Sequence, residues 1–141
     1  MSRHSVVDVG SNTIHLLVGE VDGESVLPIT GEKVSARLGA GVEKTGRLDE
    51  ERLALATEAI SLFGRIAAMN GAPSPEILAT SAVRDAENGQ KLVERVLDAT
   101  GLKMRLISGE KEAALGFSGA LSAGRHKGKV LVVDLGGDRH S

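Results

Sequence analysis

Residues 6–21, VVDVGSNTIHLLVGEV, place a short polar run between two apolar segments. The apolar segments, residues 5–9 and 14–21, predict two buried strands joined by a tight turn. The polar run combines a carboxylate, a glycine and three hydrogen-bonding side chains: Asp8, Gly10, Ser11, Asn12 and Thr13. Two interpretations stay open at this point, an ordinary polar turn or a loop whose amides and hydroxyls bind a phosphate group.

A second segment near the other end of the chain repeats this pattern. Residues 132–137, VVDLGG, match residues 6–11, VVDVGS, in placing an aspartate and a glycine after an apolar strand. Paired loops of this kind suit phosphoryl chemistry, because glycine backbones approach phosphate closely while aspartates hold Mg²⁺ or water. Asp134, Gly136 and Gly137 are the candidate residues of the second loop. The alternative is a chance repeat, since short patterns of this kind are common.

The remaining segments alternate extended and helical patterns. A third strand is predicted over residues 26–38, where Pro28 and Gly31 are typical of a bend or an edge strand. A flexible glycine-rich loop is predicted over residues 39–46. Further helices are predicted over residues 49–70, 90–101 and 109–123, and further strands over residues 76–83, 103–108 and 129–135. The order β-β-β-α-β-α-β-α-β predicts an α/β layer fold with a mixed sheet.

Two of the predicted helices have an apolar face at helical spacing. In the first helix the inward residues are expected to be Leu53, Ala56, Ile60, Phe63 and Ala67, and Asp49 is expected at its start. In the second helix they are expected to be Leu92, Val93, Val96 and Leu97, with Gly101 as the stop.

Polar residues that follow the later strands are further site candidates, because ligands in α/β folds bind beyond the carboxyl ends of strands. Arg84 offers a bidentate clamp for phosphate with Asn88 beside it, or else it forms a surface turn with Asp85. Glu110 and Glu112 open the third helix, where a glutamate interacts with the helix dipole or activates water as a general base.

Composition excludes several classes of function. The 141 residues carry 17 Lys and Arg against 19 Asp and Glu, a net charge of -2, which disfavours binding to nucleic acid or membranes through bulk charge. There is no cysteine for a disulfide or thiolate metal site, and two Phe are the only aromatic residues that could stack on bases. With no apolar run of roughly 20 residues and no leader pattern, we expect a soluble cytoplasmic protein.

Four segments together resemble the N-terminal domain of the exopolyphosphatase and guanosine pentaphosphate phosphatase (Ppx/GppA) family. They are DVGSNTIHLLV, ATSAVRDAENG, ISGEKEAALGF and VVDLGG, in this order and at these separations. The resemblance covers residues 5–137 and implies a ribonuclease-H-like lobe of the actin, sugar-kinase and heat-shock ATPase superfamily. It also implies Mg²⁺-dependent hydrolysis of the terminal phosphate of inorganic polyphosphate or pppGpp, and homodimers.

The resemblance also implies residue roles. Ser11 and Asn12 would contact the terminal phosphate within the loop of residues 8–13, and Arg84, with Asn88 as its neighbour, would match the family's substrate arginine. Glu112 would be the catalytic glutamate, with Glu110 as the fallback. Asp134 and Asp8, the aspartates of the two loops, would take part in Mg²⁺ binding, and Gly136 and Gly137 would bind phosphate.

The end of the chain departs from the family pattern. The family continues its second loop as Gly-Gly-Gly-Ser and then an acidic residue, whereas this chain has Asp138 in place of the third glycine and ends at Ser141. We expect residues 1–125 to form the first lobe and residues 126–141 to begin a truncated second lobe, so that the chain alone is inactive or weakly active. The alternatives are a non-catalytic module that binds nucleotide or polyphosphate, and the ATP-binding lobe of a kinase-like protein.

Overall fold

A computed structural model of the chain describes residues 2–107, which form a five-stranded mixed sheet with helices. In chain order the elements are β1 (Ser2–Val9), β2 (Thr13–Asp22), β3 (Ser25–Ser35), α1 (Leu38–Thr45), α2 (Glu50–Met69), β4 (Glu76–Ala79), α3 (Ser81–Asp85), α4 (Gly89–Thr100) and β5 (Met104–Leu106). The predicted α/β class with a mixed sheet is confirmed. The third predicted helix, the last predicted strand and the boundary near residue 125 lie outside the described residues.

The sheet has the strand order β3-β2-β1-β4-β5. The first three strands form an antiparallel meander, in which Val9 pairs with Ile14 beside the β1–β2 turn. β4 then lies parallel to β1, and β5 lies parallel to β4. β3 is an edge strand, and its register shifts beside Val18 and Gly19, opposite the segment that holds Pro28. Pro28 therefore lies where a missing N–H is tolerated, as predicted.

The carboxyl ends of the three parallel strands meet at one edge of the sheet. Backbone hydrogen bonding continues one residue past β4 and one residue past β5. The Thr80 N–H donates to the Val9 carbonyl at 3.3 Å, and the Ile107 N–H donates to the Ala79 carbonyl at 2.9 Å. The β1–β2 turn and the start of α3 consequently lie side by side at this edge. We call it the carboxyl edge.

The main core lies between one face of the sheet and α2. All five residues predicted for the inner face of α2 are buried, together with Ala59. They pack against the side chains of β1, β2 and β4 that point to the same face: Val7, Val9, Ile14, Leu16, Ile77 and Ala79. Asp49 caps α2 by accepting the Arg52 N–H at 2.8 Å, as expected for an aspartate at a helix start.

Electrostatics at the start of α2 stabilise this cap. The hydrogen bond from the Arg52 N–H, together with the Arg52 guanidinium, lowers the pKa of Asp49. A hydrogen bond and ion pair with Arg95 of α4 lower the pKa of Glu50, and the pair raises the pKa of Arg95. Both carboxylates are exposed, and both favour the ionised form that suits the positive end of the helix dipole.

The prediction of a flexible loop over residues 39–46 was wrong. Residues 38–45 form α1, although three glycines lie between positions 39 and 46. Leu38 is fully buried, and burial of this kind outweighs the low helix propensity of glycine. The preceding strand also ends earlier than predicted, because Arg37 adopts a left-handed conformation (φ 50°) that turns the chain into α1.

Two details of the second half also differ from prediction. The strand predicted over residues 76–83 ends at Ala79, and the short helix α3 (Ser81–Asp85) takes the place of its last three residues and continues for two residues beyond them. In α4, Leu92 and Val96 are buried and Val93 packs against the core, but Leu97 is 47% exposed. At 100° per residue Leu97 lies about 140° around the helix from Leu92, which takes it off the inner face. Gly101 ends the helix in the left-handed conformation, as predicted.

Candidate functional site

The β1–β2 turn is closed tightly by its own backbone. The Gly10 N–H donates to the Thr13 carbonyl at 3.1 Å, and a Cβ at position 10 would come within 3.2 Å of that oxygen. A glycine therefore relieves crowding at the first position of the turn. Ser11 and Asn12 are left at the tip, where Asn12 is exposed and Ser11 is half-buried.

Helix α1 packs directly onto this turn. The Gly39 N–H donates to the Ser11 carbonyl at 2.8 Å, while the N–H groups of Ala36 and Arg37 both donate to the Asn12 carbonyl. A Cβ at position 39 would lie 3.0 Å from the Ser11 Cβ, so the close approach requires a glycine. Both turn carbonyls are thus satisfied from the α1 side.

Helix α3 approaches the same turn from β4. The Ser81 Oγ lies 3.3 Å from the Ser11 Oγ, within hydrogen-bonding distance. The Arg84 N–H donates to the Thr80 carbonyl, which starts the single turn of α3 at the carboxyl edge. The turn therefore lies between two helices that both contact Ser11.

These three segments line a shallow cavity of about 370 Å³ that is open to solvent. Its lining residues come from the turn, from α1 and from α3: Ser11, Asn12, Gly39, Ala40, Val42, Glu43, Ser81, Ala82 and Asp85. The structure thus brings two of the predicted phosphate-binding residues, Ser11 and Asn12, to one cavity. The hydroxyls of Ser11 and Ser81 give it hydrogen-bonding groups suited to an anion.

Two carboxylates in this cavity were not among the predicted site residues. Asp85 was considered only as the partner of Arg84, and Glu43 lies in the segment that was predicted to be a loop. The signal for Asp85 was its place directly after Arg84, beyond a strand end. No signal in the sequence pointed to Glu43, because its position depends on α1 forming.

Arg84 does not line the cavity, but its neighbour Asp85 does. The Arg84 guanidinium donates to both carboxylate oxygens of Asp85, from Nε to Oδ1 at 3.1 Å and from Nη2 to Oδ2 at 3.5 Å. A longer contact of 3.4 Å reaches the Ile107 carbonyl after β5. The structure therefore contains the surface pair of Arg84 and Asp85 that the sequence allowed as an alternative, with Asp85 lining the cavity and the Arg84 side chain 34% exposed.

Asn88 is engaged away from the turn. Its Oδ1 accepts the Leu48 N–H and its Nδ2 donates to the Leu48 carbonyl, both at 2.8 Å. The side-chain amide is thus committed to the segment between α1 and α2. The Asn88 side chain does not line the cavity, and its expected contact with phosphate stays a prediction.

Asp8 lies on β1 under the turn and is only 3% exposed. In the sheet register it pairs with His15 on β2 and with Leu78 on β4. Residue alternation places it on the face opposite α2, since Val7 and Val9 point into the main core. Thr13 begins β2 beside it, and neither residue lines the cavity.

Mg²⁺ is compatible with Asp8 only as one ligand among several. Within residues 2–107 no group of three or more His, Cys, Asp or Glu side chains is arranged to hold a metal ion. Mg²⁺ commonly takes one or two carboxylates and completes its shell with phosphate oxygens and water. A single buried carboxylate at the carboxyl edge fits that pattern. The other predicted residues, Glu112 with its fallback Glu110, Asp134, Gly136 and Gly137, lie outside the described residues.

Comparison with known proteins extends the likeness over most of the chain. The model of the Ppx/GppA phosphatase family matches residues 17–138. Exopolyphosphatase 1 of Mycobacterium tuberculosis is 35% identical over 137 residues, which make up 96% of this chain and 40% of that protein. A guanosine-5'-triphosphate,3'-diphosphate pyrophosphatase of Photobacterium profundum is 33% identical over 135 residues, or 95% of this chain and 27% of that protein.

Solved structures show the same likeness. The Ppx/GppA family member of Aquifex aeolicus superposes with a TM-score of 0.75 at 25% identity, over 82% of this chain and 38% of that one. An exopolyphosphatase of Cytophaga hutchinsonii superposes with a TM-score of 0.74 at 30% identity, over 81% of this chain and 36% of that one. The chain spans about 40% or less of the length of these relatives.

The sheet order and these superpositions define an α/β lobe of the ribonuclease-H-like, actin-like class. Within that class the chain belongs to the Ppx/GppA phosphatase family, a family of phosphohydrolases. In the part of the chain that the structure describes, no helix combines the length and apolar character needed to cross a membrane.

Proposed function

We propose that this chain is the N-terminal, phosphate-binding lobe of an exopolyphosphatase-type phosphohydrolase. Its substrate would be the terminal phosphate of inorganic polyphosphate or of pppGpp. The observation that carries the proposal is the cavity in which Ser11 and Asn12 lie between α1 and α3. The substrate class is supported by the names of the two relatives described above, one an exopolyphosphatase and the other a guanosine-5'-triphosphate,3'-diphosphate pyrophosphatase.

The turn would bind the terminal phosphate through donors that its own fold leaves available. The Ser11 carbonyl already accepts from Gly39 of α1, and the Asn12 carbonyl accepts from the two residues just before that helix. The hydroxyl of Ser11, in contrast, faces that of Ser81 across 3.3 Å. Hydroxyl groups rotate to suit an acceptor, so both could turn towards a phosphate oxygen. Because α1 and α3 hold the turn before substrate arrives, little ordering would accompany binding.

Arg84 would supply positive charge to the transferring phosphoryl group. A guanidinium donates in a planar fork that matches two phosphate oxygens, and charge placed where it develops in the transition state lowers the barrier. To do so Arg84 would share or leave Asp85, with which it now pairs. Asp85 would thus restrain the guanidinium until substrate competes for it.

Glu112 would act as the general base that activates the attacking water, and Asp8 with Asp134 would hold Mg²⁺. The ion would supply neutralisation of phosphate charge. The phosphate contacts of the second loop would come from Gly136 and Gly137. Gly10 and Thr13 would contribute the backbone of the first loop. The proposal also includes a homodimeric assembly and a cytoplasmic location.

Calorimetric titration of the 141-residue chain with inorganic tripolyphosphate and with pppGpp, in the presence of Mg²⁺, tests the proposal. We expect binding that Ser11→Ala weakens, while the matched control Ser61→Ala on α2 leaves it unchanged. A parallel assay of phosphate release is expected to show little or no turnover by this chain alone. No binding of either ligand would contradict the proposal, and vigorous turnover would contradict the expected weak activity.

In a longer protein that contains this lobe and is active, Glu112→Gln tests the general base. Loss of general acid–base help reduces turnover by about two to four orders of magnitude. Turnover near that of the unmodified enzyme would remove Glu112 from this role and direct attention to Glu110.

A further inference from the structure

The side chain of Asn88 joins two segments that are 40 residues apart in sequence. Both of its functional groups bond Leu48, as acceptor and as donor, each at 2.8 Å. The neighbouring Glu87 N–H adds a bond to the Gly46 carbonyl at 2.9 Å. Three hydrogen bonds therefore connect residues 46–48 with residues 87–88. We call this set the Asn88 clamp.

The two clamped segments continue the two helices that flank the cavity. Residues 46–48 follow α1 directly, and residues 87–88 follow α3 after a single residue. At the other end the same helices are held to the β1–β2 turn, by the Gly39–Ser11 bond and by the Ser11–Ser81 contact. Helices α1 and α3 are thus hydrogen-bonded to the turn at one end, and the segments that follow them are hydrogen-bonded to each other through the Asn88 clamp.

Helix α3 is held by core packing of Ala82 and Val83 and by hydrogen bonds at both of its ends. It has only five residues, and a single helical turn is not stable by itself in water. Its start is tied to β1 through the Thr80 N–H, and its end is followed by the clamp. Gly89 adds close packing there, since a Cβ at position 89 would overlap the Val83 carbonyl oxygen.

Arg84 and Asp85 lie on this short helix, between its two attachments. Core packing of Ala82 and Val83, the Thr80–Val9 bond at one end and the Asn88 clamp at the other together set the backbone position of these two residues relative to Ser11. Residues that hold another group in place from outside the cavity act on affinity through that group.

We propose that Asn88 is a positioning residue, which holds α3 against α1 so that Arg84 stands at the rim of the phosphate cavity. This role rests on the proposed function of the cavity. It replaces the direct phosphate contact that the sequence indicated for Asn88 and assigns the residue an effect through Arg84.

A double-mutant cycle on the 141-residue chain tests the role, with inorganic tripolyphosphate as the probe in calorimetric titration. Asn88→Ala is expected to weaken binding about five- to thirtyfold, the factor for one or two net hydrogen bonds. Gln90→Ala, an exposed side chain in the same segment, is the matched control and should leave affinity unchanged. In an Arg84→Ala background, Asn88→Ala should weaken binding by less than about twofold, because coupled residues are non-additive.

Hydrogen exchange of the Leu48 amide, measured on the same variants, reports the clamp itself. We expect faster exchange in Asn88→Ala and unchanged exchange in Gln90→Ala. Should Asn88→Ala fail to fold, Asn88→Asp serves in its place: it keeps the acceptor for the Leu48 N–H, replaces the donor by a charged oxygen, and is titrated at high ionic strength so that this charge is screened.

The outcomes separate this role from the proposed function. If the unmodified chain does not bind tripolyphosphate, the proposed function fails and the positioning role fails with it. If Arg84→Ala weakens binding while folded Asn88→Ala does not, the positioning role alone is overturned. An equal loss from Asn88→Ala with and without Arg84 also overturns it, since the effect would not act through Arg84.

Discussion

Gly39 lies so close to Ser11 that a Cβ at position 39 would be 3.0 Å from the Ser11 Cβ. The Gly39 N–H meanwhile donates to the Ser11 carbonyl at 2.8 Å. Helix α1 and the β1–β2 turn are therefore in direct backbone contact along one side of the cavity. A side chain at position 39 would separate them.

Gly39→Ala is expected to displace the turn and weaken tripolyphosphate binding. The added methyl group meets the Ser11 Cβ and carbonyl, and overpacking of this kind destabilises by roughly 1–3 kcal/mol. Calorimetric titration and thermal unfolding of the same variant measure the two effects.

Gly64→Ala on α2 is the control, because its Cβ would meet nothing within 4 Å. There we expect unchanged affinity and equal or slightly higher stability, since alanine favours helix by roughly 1 kcal/mol. Equal affinity of Gly39→Ala and the unmodified chain would contradict the importance of this contact.

Asp85→Asn is expected to strengthen the binding of tripolyphosphate. The carboxylate lines the cavity and pairs with Arg84, so its removal reduces repulsion of the anion and releases the guanidinium. Exposed ion pairs contribute roughly 0–1 kcal/mol, which corresponds to a gain of up to about fivefold. Titration at low ionic strength, where surface charges are least screened, is the measurement.

Glu87→Gln is the control, because it removes an exposed carboxylate outside the cavity and should change affinity little. Weaker binding in Asp85→Asn would show that Asp85 positions Arg84 rather than restrains it.

The cap of α2 predicts a pH dependence of stability. The hydrogen bond from the Arg52 N–H holds the pKa of Asp49 below its ordinary value of 3.8. A carboxylate with a depressed folded-state pKa stabilises the fold fully above its unfolded-state value, and this stabilisation is lost as the pH falls through the folded-state value. The melting temperature of Asp49→Asn should therefore fall less steeply than that of the unmodified chain from about pH 5 to about pH 2.

Glu94→Gln is the control for that experiment. Glu94 is exposed and makes no side-chain hydrogen bond or ion pair with the described residues, so its variant should keep the steeper profile. Parallel profiles for Asp49→Asn and the unmodified chain would contradict the role of the ionised cap.

The strands and long helices could be predicted from the sequence because their apolar periodicity is strong. The α2 face of Leu53, Ala56, Ile60, Phe63 and Ala67 is buried as a whole, and the polar turn of residues 10–13 lies at the carboxyl edge. Apolar periodicity did not predict α1, because its glycines are typical of a loop. α1 contains Gly39 and Gly41, which look like loop residues but permit close approach to Ser11 and Arg52.

The sequence could predict only those site residues that directly follow a predicted strand, because the carboxyl end of a strand indicates where a ligand binds. Ser11 and Asn12 follow β1 and line the cavity, but Glu43 reaches it through the unpredicted α1. The role of Asn88 depends on a contact with Leu48, and no local pattern in the sequence indicates a hydrogen bond between residues so far apart. Tertiary contacts, rather than local propensity, decide these positions.

The central claim is that the β1–β2 turn, framed by α1 and α3, binds a terminal phosphate. Backbone amide chemical shifts, recorded by NMR while inorganic tripolyphosphate is titrated into the 141-residue chain with Mg²⁺, test it most directly. The largest saturating shifts are expected at residues 10–13, with smaller ones at residues 39–41 and 81–85, and Ser11→Ala should weaken the response. Shifts confined to other surfaces, or no saturable shift at residues 10–13, would contradict the claim.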